Sequence, residues 1–369
     1  MGQQVGALDW QVDITPDGEL FPALQLSQVP RDAATAIGGG DGLINVRIRG
    51  AGAPTHVHLR IETAGLRTPA IVDTTSGATA MLELHPRLDW DVAALHALPA
   101  ARRQRLRITL NDEAREIEVR LHALDDALYF VREGRDHVDL SWAFAGYVNP
   151  RDAVVDEVLA LTRSIDPDFA TDDRAQDTAA TLRRVGVVWA ALEKHGLRYA
   201  GGNPALSQGP VVYSQRVRLL GEVWRERSAN CIDSSVLIAS VLERLGVRAF
   251  IVLVPGHAFV GFHAGTGQRD TQYLETTLLG ARPTRHGTLM LTAAANYAAA
   301  RASGHARWLK LAAKLDGRHG PDYATVDIAV ARRYGIVPFA AQATLPFSDA
   351  HAPETADAHR GRALMQPFD

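Results

Sequence analysis

Apolar and polar residues alternate through much of the first part of the chain. Apolar residues occupy every second position in residues 44–48, 57–61, 106–110 and 117–121. A period of two, interrupted by turn residues, indicates half-buried antiparallel strands. Asn111-Asp112-Glu113 between the last two runs predicts a hairpin turn. Several such strands in succession predict an antiparallel β-sandwich domain for residues 1–148.

The hydrophobic period changes after Asn149-Pro150, and we place a domain boundary there. Residues 154–161 and 182–192 have apolar side chains at helical spacing, and Gly196 is well placed to end the second helix. The predicted class is therefore α+β, with a second domain over residues 149–340. Residues 341–369 are polar and rich in Ala, Pro and His, which predicts a flexible tail.

The stretch from residue 227 to residue 246 contains the chemistry that we consider most informative. Ser228 and Asn230 are good helix N-cap residues, the apolar positions that follow have helical spacing, and Gly246 ends the pattern. Cys231 therefore lies in the first turn of a helix. Free backbone N–H groups and the positive end of the helix dipole favour a thiolate there. The same N–H groups can hold the oxyanion of an acyl-transfer intermediate.

Three strands are predicted after this helix. Residues 247–254 form a β-branched run, Pro255-Gly256 is a turn, His257 opens the next strand, and residues 272–277 form the third, with Glu275 in its middle. An antiparallel order brings His257 and Glu275 side by side. A thiol nucleophile needs a base in hydrogen-bond reach, and the base needs an orienting partner. Each residue alone has an ordinary structural explanation, but the three together predict a cysteine-nucleophile site. Asp270, in the preceding loop, is the alternative acid.

Composition narrows the function classes. The 369 residues carry a net charge of −3 with both signs interspersed, so no nucleic-acid footprint is visible. No apolar run approaches the roughly 20 residues that span a bilayer, and the N-terminus has no secretory signal pattern. We therefore expect a cytoplasmic protein without a membrane partner. A single cysteine excludes an intramolecular disulfide and a multi-cysteine metal site. His56 and His58 have no obvious further ligand, and we expect neither a metal nor a cofactor.

These residues resemble the transglutaminase-like superfamily of papain-fold cysteine enzymes. The resemblance is carried by Cys231 at a helix start, by "LERLGVRAFIVLVPGHAFVGF" and by "YLETT". It is closer to uncharacterised bacterial domains of the superfamily, through Gln215-Arg216-Val217-Arg218, Glu222-Val223 and Cys231-Ile232-Asp233. It covers about residues 185–280, and more weakly residues 327–338, but not the N-terminal region.

The resemblance implies a papain-like core in which a catalytic helix packs on an antiparallel sheet. It implies that Cys231 is the nucleophile, His257 the general base and acid, and Glu275 the orienting acid, where Asp is commoner. An upstream side chain usually helps to bind the oxyanion, and Gln215 is the candidate. We expect a cysteine peptidase or amidase that acts through an acyl-thioester on a protein or peptide. A transglutaminase-type acyltransferase and an inert binding scaffold remain the alternatives. The N-terminal domain is a hypothetical binding module for a partner protein.

Overall fold

Alternating apolar side chains form strands in the first part of the chain, as the sequence predicts. The protein, described here by a computed structural model, has a mixed α+β fold with several antiparallel sheets. The structure describes residues 8–28, 44–50, 52–134, 136–169, 177–201, 206–265, 270–281, 292–315, 319–320 and 322–338. The N-terminal residues 1–7 and the predicted tail, 341–369, lie outside these ranges.

Two sheets are built from the N-terminal strands. The five-stranded sheet has the order β2-β8-β7-β4-β5 and the three-stranded sheet the order β1-β3-β6. The predicted hairpin is confirmed, since Leu110 pairs with Glu113. Asn111 takes a left-handed φ of 49°, which asparagine tolerates better than most residues. The strands and short helices are Trp10–Ile14 (β1), Glu19–Leu20 (β2), Pro22–Leu26 (α1), Ile44–Ile48 (β3), Thr55–Glu62 (β4), Ala70–Ser76 (β5), Leu82–Leu84 (β6), Val92–His96 (α2), Arg102–Leu110 (β7) and Glu113–Leu121 (β8).

A third sheet crosses the predicted domain boundary. Its order is β10-β9-β13-β12, with β9 at Asp126–Glu133, β10 at Asp136–Asp139, β12 at Leu206–Gln208 and β13 at Val212–Arg216. Strands from either side of residue 148 are thus hydrogen-bonded to each other in this sheet. One hydrophobic core likewise continues from Trp10 to Ile336. The division into domains stays a prediction, but hydrogen bonding and packing are continuous across it.

Helices α3 (Ala153–Ile165), α4 (Thr178–His195) and α5 (Leu220–Glu226) follow the boundary. Both ends of α4 are capped, the second of them by Gly196 as predicted. The side chain of Asp177 accepts hydrogen bonds from the backbone N–H groups of Ala179 and Ala180, and Gly196 ends the helix with a left-handed φ of 93°. The chain then forms β11 (Arg198–Tyr199), which pairs in parallel with β14 (Ser228–Ala229).

Helix α6 (Cys231–Arg244) lies at the centre of the second half of the molecule. It packs on β15 (Ala249–Val254) and β16 (His257–His263), and α3 packs beside it. Its residues from 231 to 242 are all buried, as expected of a helix that is apolar on most of its surface. Each fully buried aliphatic side chain here stabilises the fold by about 1.5–3 kcal/mol. This packing fixes where the first turn of α6 lies.

The sheet under α6 has the order β17-β16-β15-β18, with β17 at Thr271–Leu274 and β18 at Ala324–Asp327. Strand β17 is shorter than the predicted strand over 272–277. The side chain of Glu275 accepts a hydrogen bond from the backbone N–H of Thr277, and a 3₁₀ turn follows at Thr276–Leu278. This side-chain cap bends the chain out of the strand direction. Glu275 therefore lies just after the strand and not in its middle.

Helices α7 (Ala293–Leu311) and α8 (Ile328–Arg333) complete the described fold. Helix α7 lies on β17, and its Trp308 stacks on Tyr273 with ring centroids 4.4 Å apart. Gly304 allows this close approach, since a Cβ there would lie 2.7 Å from the Tyr273 backbone. None of the described helices is long and apolar enough to cross a membrane.

Candidate active site

Cys231 is the first residue of α6. Asn230 is the N-cap, and its side chain and that of Asp233 form a reciprocal capping box. The carbonyl of Cys231 accepts hydrogen bonds from the hydroxyls of Ser235 (2.7 Å), Ser234 (3.3 Å) and Thr276 (3.3 Å). The residue is 5% exposed. The start of the helix is thus held on one side by its own serines and on the other by the segment that follows β17.

His257 is the first residue of β16. The turn at Pro255-Gly256, with Gly256 at a φ of 68°, reverses the chain so that His257 pairs with Val254. The imidazole Nε2 lies 3.0 Å from a carboxylate oxygen of Glu275, and the ring lies close enough to the Cys231 thiol for that thiol to raise the pKa of the imidazole. Because Nε2 faces the carboxylate, Nδ1 is the ring nitrogen left available to the thiol. The structure therefore brings Cys231, His257 and Glu275 together in the order that the sequence predicts.

Glu275 is a buried carboxylate with several donors. It is 2% exposed, and besides His257 it accepts hydrogen bonds from the Thr277 hydroxyl (2.8 Å), the Thr277 backbone N–H (3.2 Å) and Arg307 Nε (2.8 Å). A buried carboxylate with this many donors stays ionised and keeps one orientation. It can therefore fix the imidazole ring. The longer side chain of Glu, compared with Asp, does not prevent contact with the ring.

The charges of the pair follow from these contacts. Burial by itself lowers the pKa of His257, but hydrogen bonds to Cys231 and to Glu275 outweigh it and raise the pKa to about 9. Burial by itself raises the pKa of Glu275, but the hydrogen bond from His257, together with those from Thr277, lowers it to about 2. At neutral pH the site thus holds an imidazolium next to a carboxylate.

The raised pKa of His257 makes its contribution to stability depend on pH. The folded value of about 9 lies above the ordinary 6.5, so the contribution is complete below pH 6.5 and is lost as the pH rises through 9. We expect the difference in Tm between the wild type and His257→Ala to shrink over that interval. Thermal unfolding at a series of pH values measures it. Burial lowers the pKa of His263, so the matched His263→Ala difference should instead grow as the pH rises through 6.5. A His257→Ala difference that is constant across pH would contradict the ion pair.

The Glu275 contribution has the opposite sign and a different window. Its folded pKa of about 2 lies below the ordinary 4.5, so this contribution is present above pH 4.5 and is lost as the pH falls through 2. Both contributions are complete together only between about pH 4.5 and 6.5.

Arg218 is a residue that sequence reasoning quoted only as part of a motif. The carboxylate of Asp233, which is 0% exposed, accepts hydrogen bonds at 2.9 Å from both the backbone N–H and the Nε of Arg218. The same guanidinium also donates to Glu226 (2.7 Å) and to the carbonyl of Ser228 (2.8 Å). Arg218 thereby compensates a negative charge that lies two residues from the thiol, and it ties the preceding loop to the start of α6.

Arg307 was not singled out from the sequence at all. It lies on α7, 32 residues beyond Glu275, and its Nε reaches the carboxylate. No local motif links an arginine in one helix to an acid after a distant strand, so only the packing of α7 on β17 shows the pair. Thr276, which bonds to the carbonyl of Cys231, is by contrast part of the "YLETT" motif.

The remaining predicted residues are placed differently. Gln215 lies in β13, opposite Ala127 and Leu206, and is 9% exposed. Its amide makes no hydrogen bond to another described residue, so its role stays a prediction. Asp270 precedes β17 at the end where Thr271 pairs with His263, which is the far end of β16 from His257. The structure brings Glu275, and not Asp270, to the imidazole.

Metal-ligating side chains do not cluster in the described part of the chain. Across those ranges, no group of three or more His, Cys, Asp or Glu side chains is arranged to hold a metal ion. His58 has an acidic neighbour that the sequence did not reveal, because Nδ1 lies 2.6 Å from Asp73 on the adjacent strand.

Comparison with known proteins does not assign the chain. No known protein family matches it, and no curated protein matches it significantly. A function for this protein is therefore inferred from the geometry of the site.

Proposed function

We propose that this protein is a cysteine hydrolase of the peptidase or amidase type, with Cys231 as nucleophile, His257 as general base and acid, and Glu275 as the orienting acid. One observation carries the proposal: the ring of His257 lies beside the thiol at the start of α6, which raises the pKa of the imidazole, and is hydrogen-bonded at 3.0 Å to a buried carboxylate. Nucleophile, base and orienter in hydrogen-bond contact are the arrangement required for thiol-based acyl transfer.

The reaction follows from the positions of these groups. The thiol of Cys231 gives its proton to His257 as its sulfur attacks the carbonyl carbon of an amide; the C–S bond forms, and the π electrons of the carbonyl move to oxygen. When the intermediate collapses, the C–N bond breaks and His257 gives its proton to the departing amine. Water then attacks the thioester while His257 accepts its proton, and the acid product leaves the sulfur. Glu275 holds the ring throughout and stabilises its protonated form.

We further propose the finer fold assignment that the resemblance implies. The packing of α6 on the sheet of β15 to β18 supports a papain-like, transglutaminase-like core. The two N-terminal sheets are the elements of the proposed sandwich. A protein or peptide is the proposed substrate, and the N-terminal region is the proposed binding surface for a partner protein.

The test uses an activated ester, because the natural substrate is unidentified. The wild-type protein is expected to release nitrophenolate from p-nitrophenyl acetate in a burst followed by steady turnover, with the acetyl group on Cys231 in intact-mass spectra. Loss of the acetyl adduct in Cys231→Ala assigns it to the single cysteine. Cys231→Ala is the control and should show neither burst nor turnover. Equal rates for the two proteins would refute the proposal and favour a binding scaffold.

The same experiment separates hydrolysis from acyl transfer. Adding a labelled primary amine offers a second acceptor for the thioester. If water releases the acyl group even at high amine concentration, the protein is a hydrolase. If the labelled amide becomes the main product, the acyltransferase alternative replaces the peptidase assignment.

A further inference from the structure

Tyr199 lies between the two segments that build the site. Its strand, β11, pairs in parallel with β14, so that Tyr199 is opposite Ala229, two residues before Cys231. Its backbone N–H donates to the carbonyl of Leu279 at 3.0 Å, in the segment that follows Glu275. The next residue, Ala200, donates to the carbonyl of Ala229 at 2.9 Å. Backbone hydrogen bonds thus hold Tyr199 both to the segment that precedes Cys231 and to the segment that follows Glu275.

The side chain of Tyr199 is half-buried and packs against the main core. Its hydroxyl makes no hydrogen bond to any described residue. Burial, followed by electrostatic interactions with Cys231 and Glu275, raises the pKa of this phenol. The hydroxyl therefore keeps its proton at neutral pH and can serve as a donor.

We propose that the Tyr199 hydroxyl donates a hydrogen bond to the oxyanion that forms when Cys231 attacks a carbonyl, the role that the sequence resemblance gives to Gln215. The inference rests on the proposed hydrolase function and adds a catalytic residue to it. Two observations support it: backbone hydrogen bonds hold Tyr199 beside both segments of the site, and its hydroxyl has no hydrogen-bond partner among the described residues. The Gln215 side chain is hydrogen-bonded to neither Cys231 nor His257. A neutral donor is suited to this place, because negative charge moves from sulfur to oxygen during the attack.

Two reactions of the same thiol isolate this role. Acylation of Cys231 by p-nitrophenyl acetate develops an oxyanion, whereas alkylation by iodoacetamide displaces iodide at a saturated carbon and develops none. Tyr199→Phe removes only the hydroxyl. We expect the acylation rate constant to fall about 10²-fold, the loss typical for one oxyanion donor, with the alkylation rate constant unchanged. The ratio of the two rate constants is the measurement.

Two control variants sharpen the result. Tyr213→Phe removes the hydroxyl of another half-buried tyrosine, which is bonded to Arg132, and should leave both rates as they are. Gln215→Ala tests the rival donor. A selective loss of acylation in Gln215→Ala but not in Tyr199→Phe would overturn the inference, as would an equal fall of both rates in Tyr199→Phe.

The same measurements distinguish a failure of the Tyr199 inference from a failure of the proposed hydrolase function. If wild-type Cys231 is acylated and Tyr199→Phe is acylated equally fast, the inference alone fails. If wild-type Cys231 is alkylated but never acylated, the hydrolase proposal fails and the inference falls with it.

Discussion

His257→Ala is expected to lower the steady turnover of p-nitrophenyl acetate about 10³-fold, within the range for loss of a positioned general acid and base. The ring is the group that contacts both the thiol and the carboxylate of Glu275, so its removal separates the two. Water attacking the thioester then has no base to accept its proton. Stopped-flow and steady-state release of nitrophenolate measure the loss.

Alkylation of the same variant should fall much less. Iodoacetamide needs only a thiolate, and a more basic thiol is a better nucleophile, which offsets part of the smaller thiolate fraction. We expect a fall of about tenfold near pH 6, where an isolated thiol is almost fully protonated. The matched control is His263→Ala, at the other end of β16, bonded to Thr271. Should both histidine variants lose the same activity, His257 would have no special role.

Arg218→Ala is expected to lower the free energy of unfolding by about 3–5 kcal/mol, the usual cost of removing one partner of a buried ion pair. The variant leaves the carboxylate of Asp233, which is 0% exposed, without its cation. It also removes the contacts with Glu226 and Ser228. Since whole proteins are stable by only about 5–15 kcal/mol, urea unfolding should show a large shift of the midpoint.

A surface ion pair of the same residue types gives the control. Arg244 bonds to Asp156 at 2.9 Å, with side chains 40% and 61% exposed. Exposed pairs contribute about 0–1 kcal/mol, so Arg244→Ala should change little. A loss in Arg218→Ala no larger than in Arg244→Ala would mean that Asp233 is satisfied by its capping bonds alone.

Structural features that depend on the residue pattern within one segment could be predicted from the sequence. Alternation placed β4 and the β7-β8 hairpin, and helical spacing with an N-cap placed Cys231 at the start of α6. The contact of His257 with Glu275 could also be predicted, because neighbouring strands of a meander are constrained by short connections.

Pairings between distant segments could not be predicted in this way. The pairing of β9 with β13 joins stretches with no common local pattern. The Glu275–Arg307 contact depends on where α7 packs, and the end of β17 depends on a side-chain cap of Glu275 itself. The side of the site at which Tyr199 lies likewise depends on the pairing of two strands of two residues each, which periodicity does not detect.

The sheet shared by β9 and β13 has consequences for how the chain folds during synthesis and for where it can be truncated. During synthesis β9 leaves the ribosome long before β13, so its partner edge stays unfilled until residues 212–216 emerge. A protein cut at residue 148 would leave β13 with an unpaired edge beside the segment that leads to α6, and exposed edges promote aggregation. We therefore expect a protein that lacks residues 1–148 to aggregate and to fold α6 poorly, and the two halves expressed separately to need each other.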